Sequence, residues 1–170
     1  DSPPAPIFEI AARPNDWERH LQSISRDVRG LTDVGQLRKD FWAYHIARHP
    51  EEEAFEAAGG YSNRWRTNYD CNLVISYYVA RKGVGLFIRS RHGVDIQEAY
   101  LILEPHKERL QQILNAPFED KGNGYLFHHS FSADTEKKEN WDEISDWLYE
   151  QVTKYDEVLK NLGEPGASTS

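Results

Sequence analysis

The chain has no methionine and one cysteine, Cys71, among its 170 residues. A single cysteine excludes an internal disulfide, so the core alone must hold the fold, and the reducing cytoplasm is the expected compartment. Cys71 stands at the head of an apolar strand, a place that favours a buried thiol over a nucleophile. No apolar run approaches the roughly 20 residues that span a bilayer, and no charged-then-apolar leader opens the chain, which argues against membrane insertion and secretion. Without an initiating methionine the chain reads as a processed product or as a piece of a longer protein. Catalytic signatures are missing too. There is no Gly-x-Ser-x-Gly turn for serine catalysis. A PD-(D/E)xK nuclease holds metal and water between an acid on one strand and a Glu-x-Lys or Asp-x-Lys on the next, and the recognisable strands carry neither. Gly83 and Gly85 follow a hairpin turn instead of opening a helix, so they read as turn and close-packing positions. The residues therefore call for no catalytic side chain, no metal and no cofactor.

What is present centres on Asp70 to Arg91, DCNLVISYYVARKGVGLFIRSR. Leu73, Ile75, Tyr77 and Val79 alternate with Val74, Ser76, Tyr78 and Ala80, the period of two that a pleated surface selects. Arg81, Lys82 and Gly83 supply a short turn with a glycine for positive φ, after which Val84, Leu86 and Ile88 alternate with Gly85, Phe87 and Arg89. This is a β-hairpin, apolar on both faces, and each face needs a covering layer.

The remainder fits one domain of hydrophobic content 39% and charged content 28%. Asp1 to Pro6 (DSPPAP) reads as a proline-rich linker, residues 7–162 as a single α/β domain, and residues 163–170 (GEPGASTS) as a disordered tail. Within the domain, Ile7 to Ala12 is an expected edge strand. A helix capped by Asn15 or Asp16 follows, through Trp17, Leu21 and Ile24 to Gly30. Thr32 or Asp33 caps a second helix with Val34, Leu37, Phe41, Trp42, Tyr44 and Ile46 as its apolar stripe, and Glu51 to Ala58 resumes as a helical turn past Pro50. Tyr61 to Asn68 is a polar and aromatic approach to the hairpin. Gly93 and Asp95 mark a helix start, Pro105 begins a fresh helix, and Tyr125, Phe127, His129 and Phe131 alternate as a third main strand. Lys138 to Leu162 is the last helix, with Asn140 or a nearby residue as its cap. The expected class is α+β: a small, mainly antiparallel sheet built on a central hairpin and covered by amphipathic helices.

Each candidate ligand in the chain also has a plainer role. His45 and His49 lie four apart on a helix, the spacing at which two imidazoles share a metal, but Ile46 stands where a zinc-protease helix needs glutamate. They read as surface or helix-end histidines. His128 and His129 point to opposite faces of a strand and cannot chelate together. The acidic runs Glu51 to Glu53 and Asp142 to Asp146 read as solvated helix faces. Charge placement is more telling. Net charge is −8, yet residues 61–93 hold six basic side chains and one acid, a local charge of +5 that leaves −13 elsewhere. Arg64, Trp65, Arg66, Arg81, Lys82, Arg89 and Arg91, with Tyr61, Tyr69 and Tyr78 nearby, form a candidate nucleic-acid surface, in which cations neutralise phosphates and rings stack on bases. The alternative is that the aromatics are core and the arginines pair with the acidic helices.

The chain resembles the domain-of-unknown-function 4268 family, found at the C-terminus of predicted nucleases. The resemblance rests on DSPPAP followed by Phe8, Arg13-Pro14-Asn15-Asp16-Trp17, Phe41-Trp42, Val84-Gly85-Leu86-Phe87-Ile88-Arg89, and Trp141 with Trp147-Leu148. It implies an upstream PD-(D/E)xK-type nuclease domain as partner and no catalytic residue in this part. The expected function is a non-catalytic C-terminal module of a cytoplasmic DNA-processing or phage-defence nuclease, assisting DNA binding through the basic hairpin. The alternative is a protein-interaction module, or a homodimer-forming one, without direct DNA contact.

Overall fold

Antiparallel pairing runs without a crossover through the whole sheet. The computed structural model describes residues 33–57, 62–120 and 122–162, so the expected linker, first strand, first helix and tail lie outside the described residues. Five strands follow in simple order: β1 (Glu56–Ala57), β2 (Asn63–Asn68), β3 (Leu73–Ala80), β4 (Gly83–Ser90) and β5 (Leu126–Ser132). The helices are α1 (Asp33–Arg48), α2 (Ile96–Leu103), α3 (Lys107–Leu114) and α4 (Trp141–Lys160). The fold is a small α+β one built on a central hairpin.

That hairpin is β3 and β4, in register from Leu73 opposite Ser90 to Ala80 opposite Gly83. Gly83 has φ +148°, and a Cβ there would collide with the Phe131 carbonyl oxygen of β5, so only glycine lets the third strand close in at the turn. The turn backbone is tied down as well. Ala133 and Thr135 donate their amides to the carbonyls of Lys82 and Arg81, and the Thr135 hydroxyl donates to the Ala80 carbonyl at 2.6 Å.

One face of the sheet carries the main core. Leu73, Ile75, Tyr77 and Val79 of β3 and Val84, Leu86 and Ile88 of β4 join Phe41 and Trp42 of α1, Leu103 of α2, Leu110 and Leu114 of α3, and Ile144, Leu148, Val152, Tyr155 and Leu159 of α4. Each fully buried leucine-sized side chain stabilises the fold by about 1.5–3 kcal/mol, and α4 alone presents five such residues along one stripe. Asp95 caps α2, its carboxylate accepting from the Gln97 amide at 2.8 Å. Pro105 sits in a single 3-10 turn, Glu104–His106, that separates α2 from α3, because its ring cannot continue the helix.

Four expectations need correction. The approach segment is itself a strand, β2, paired along its length with β3. Glu51 to Ala58 is a 3-10 turn, Pro50–Ala54, followed by the short strand β1. The last helix begins at Trp141 after a 3-10 turn over Lys138–Asn140; Asn140 holds the N-cap position but makes no side-chain capping bond, its side-chain amide donating to the Asp134 carbonyl at 3.0 Å. In β5 the plain alternation fails. Leu126 pairs with Ile88 and His129 with Leu86, so Phe127 and His128 of β5 stand against the single Phe87 of β4, and Phe127 adopts φ +54° as the extra residue of a bulge.

Candidate functional site

Period-two alternation divides the sequence-derived site residues between the two faces of the sheet. Arg64 lies opposite Tyr77 and Arg66 opposite Ile75, both pointing into the helix-covered side, where they are buried. Arg64 donates through Nη2 to the carbonyls of Glu52 at 2.5 Å and Phe55 at 3.0 Å. Arg66 binds the Glu52 carboxylate and stands 3.4 Å from Asp156 Oδ2, its guanidinium 4.1 Å from the centre of the Phe55 ring. Neither is placed to meet a phosphate, and both leave the candidate surface. The solvated reading of Glu51 to Glu53 is also corrected, since Glu52 is 0% exposed.

Glu52 gathers further partners. Tyr77 donates to its Oε2 at 2.6 Å, and His45 Nε2 stands 3.5 Å from the same oxygen. Burial pushes the carboxyl up, but the hydrogen bonds from His45, Tyr77 and Arg66 outweigh it and hold the group down at about 2. Burial and the Glu52 charge both push Tyr77 up, and burial drives His45 down. His45 Nδ1 lies 2.7 Å from Ser145 Oγ. Hydroxyl, imidazole and carboxylate thus follow one another as in a hydrolase triad. All three side chains are fully buried, so no substrate reaches them and the network joins α1, β2, β3 and α4 instead. Nδ1 of His45 is taken up by Ser145, while Nε2 faces Glu52 at a distance longer than an ordinary hydrogen bond. His49 stacks on Tyr149 at 4.1 Å, with Asp146 Oδ1 3.0 Å from its Nε2. Among the described residues no group of three or more His, Cys, Asp or Glu is arranged to hold a metal ion.

The other sequence-derived residues are spread along the hairpin. Arg81 and Lys82 are exposed at the turn, Arg81 3.7 Å from Glu136. Arg91 is at the far end, its guanidinium 4.7 Å above the Tyr69 ring and bonded to Asn72 at 3.2 Å. An eight-residue strand at about 3.3 Å per residue separates the two groups, so they do not make one patch. Trp65, opposite Ser76, and Arg89, opposite Val74, are half-buried on the second face. Cys71 is half-buried, and burial raises its thiol, which suits an unreactive role.

On that second face lies a cleft of about 450 Å³, bordered by Arg38, Asn63, Tyr78, Phe87, Asn123, Tyr125 and His128. Its rings are arranged in two near-parallel pairs. Phe87 and Tyr125 stack at 3.7 Å with 15° between planes; Tyr78 and His128 lie at 5.9 Å with 11°, joined by a 2.7 Å hydrogen bond between Tyr78 Oη and His128 Nε2. Gly85 makes the arrangement possible. It pairs with Tyr78 across the hairpin, and a Cβ there would occupy the space of the tyrosine ring. The bulge at Phe127 does the rest, because it turns both Tyr125 and His128 to this side, whereas an uninterrupted strand would place them on opposite faces.

No family model, curated protein or solved structure matches the chain. The chemistry of the cleft therefore rests on its own side chains: flat apolar surfaces, amide edges from Asn63 and Asn123, and one guanidinium anchored through Nε to the Val79 carbonyl at 3.2 Å. Such a surface can hold a planar ligand with polar edges. Of its residues only Tyr78 belonged to the sequence-derived surface. The Tyr78 and Gly85 pair was legible as a tyrosine facing a glycine across a hairpin; Tyr125 and His128 were hidden by the bulge. No helix among the described residues is long and apolar enough to cross a membrane.

Proposed function

We propose that this chain is a non-catalytic accessory module of a cytoplasmic DNA-processing protein, as its resemblance to the 4268 family implies, and that it binds nucleic acid through the second face of its sheet. The reading is carried by one observation. Tyr78, Phe87, Tyr125 and His128 line a cleft on that face, with Tyr125 and His128 exposed, and Trp65 and Arg89 lie on the same face beyond the cleft. Aromatic side chains on an antiparallel sheet suit single strands, whose unstacked bases can lie on them. The arginine ribbon supports it less, because Arg64 and Arg66 are committed inside the fold.

Fluorescence anisotropy with short single-stranded and duplex oligonucleotides, across a salt series, tests the proposal. The expected result is a preference for single strands and a shallow salt slope, since few phosphates are met by cations. Absence of binding at low salt, together with a concentration-dependent dimer in light scattering, overturns it in favour of a protein-interaction module. Metal-dependent cleavage by this chain alone overturns the non-catalytic part.

A further inference from the structure

We propose that the cleft seats a single unstacked nucleobase whose Watson–Crick edge sets a ring-nitrogen acceptor beside an exocyclic amine, adenine or cytosine. This rests on the nucleic-acid reading above and names what that face recognises. The cleft is of small-ligand size, about 450 Å³. Its walls are two stacked ring pairs, which offer π-faces to a flat heterocycle. An aromatic peptide side chain would use those faces equally well, so the polar groups decide. Asn63 is held by its neighbours, accepting from Ser62 Oγ and donating to Ser76 Oγ, each at 3.0 Å, so its amide orientation is set. Asn123 accepts from the Tyr125 amide through Oδ1 at 3.0 Å, which leaves its NH2 as the donor. Glu119 adds a carboxylate to the same wall. Donating amides beside a carboxylate match a base edge in which a ring nitrogen accepts and an amine donates, the pattern by which asparagine reads adenine and acids read cytosine. A phenyl ring has no such edge.

The site is also built in advance. Asp120 Oδ1 collects the amides of Gly122, Asn123 and Gly124 at 2.9, 3.0 and 2.7 Å, which fixes the loop carrying Asn123. The Tyr78 ring is held by Gly85 beneath it and by His128 beside it. Little ordering is then needed on binding.

Ligand-observed NMR with adenosine, cytidine, uridine and N-acetyl-tryptophanamide, on the full chain, tests this. Adenosine and cytidine should bind and uridine should be weaker. Tyr125→Ala should weaken adenosine by roughly 5- to 100-fold through lost stacking, and Asn123→Ala should narrow the gap between adenosine and uridine, with melting temperature as the control for fold. Equal binding of all three nucleosides, or equal binding of the tryptophan amide, overturns the assignment. If single-stranded oligonucleotides bind while nucleosides do not, this inference fails and the nucleic-acid function stands; if neither binds, both fail.

Discussion

Arg66 and Glu52 meet inside the protein, where the side chain of the first is 8% exposed and that of the second 0%. An arginine on β2 thereby closes a carboxylate that the 3-10 turn after α1 carries inward. Removing one partner strands a buried charge, which costs about 3–5 kcal/mol. Arg66→Met should therefore lower unfolding free energy by that amount in urea titration. Adding Glu52→Gln, which keeps an acceptor for Tyr77 while removing the charge, should recover part of the loss. A single variant as stable as the parent would show that the pair carries no such penalty.

The same cluster sets the acid response. Glu52 is held at about 2 against an ordinary 4.5, so its contribution is present above 4.5 and disappears as pH falls through 2. That depression corresponds to about 3 kcal/mol. His45 acts over a higher range. Burial lowers it, so below 6.5 the unfolded chain takes up a proton that the folded ring refuses, and stability declines. His129, lowered by burial and then by Lys154 and His128, adds to the same slope. Stability measured by denaturant should fall steadily from pH 7 to pH 3, and His45→Gln should flatten the upper part of the curve. An unchanged curve in that variant would assign the slope elsewhere.

How much of this was readable follows from which side chains obey the hydrophobic period. Leu73, Ile75, Tyr77 and Val79 obey it, and β3 and β4 stand where their alternation placed them. Asp95 and Pro105 also mark what their chemistry dictates, a cap and a break. β2 was not legible because its inward positions are Arg64 and Arg66, charges that invert the pattern used to recognise a strand. Glu52 was lost in an acidic run for the same reason. Its single inward position cannot be told from its exposed neighbours Glu51 and Glu53 without knowing that the turn is 3-10. The cleft failed for a geometric reason: one residue of bulge exchanges the faces of everything before it in β5.

Gly85 offers a direct check on how the cleft is held. Gly85→Ala places a methyl where the Tyr78 ring lies, so the ring must leave and its hydrogen bond to His128 must break. A loss of about 1–3 kcal/mol is expected from overpacking. In a Tyr78→Ala background the same change should be close to neutral, because the space is vacant. The double-mutant cycle should therefore show a coupling of about 1 kcal/mol or more, and additive effects would mean that the ring does not rest on the glycine.

The bulge should be as testable as the ring it positions. Phe127 is fully buried at φ +54°, an uncommon conformation for a bulky residue. Its amide donates to the Pro117 carbonyl at 3.1 Å, and its carbonyl accepts from Tyr155 Oη at 2.7 Å. The α4 tyrosine thus holds β5 in the bulged register from beneath, with its hydroxyl pushed up by burial. Tyr155→Phe should cost about 1–3 kcal/mol, because it leaves a buried carbonyl without its partner. The consequence should also reach the other side of the sheet. With the bulge less firmly held, backbone amides of residues 125–129 should exchange hydrogen faster, and any ligand of the cleft should bind more weakly although no side chain lining it has changed. Loss of stability without faster exchange there would place the role of Tyr155 in core packing alone.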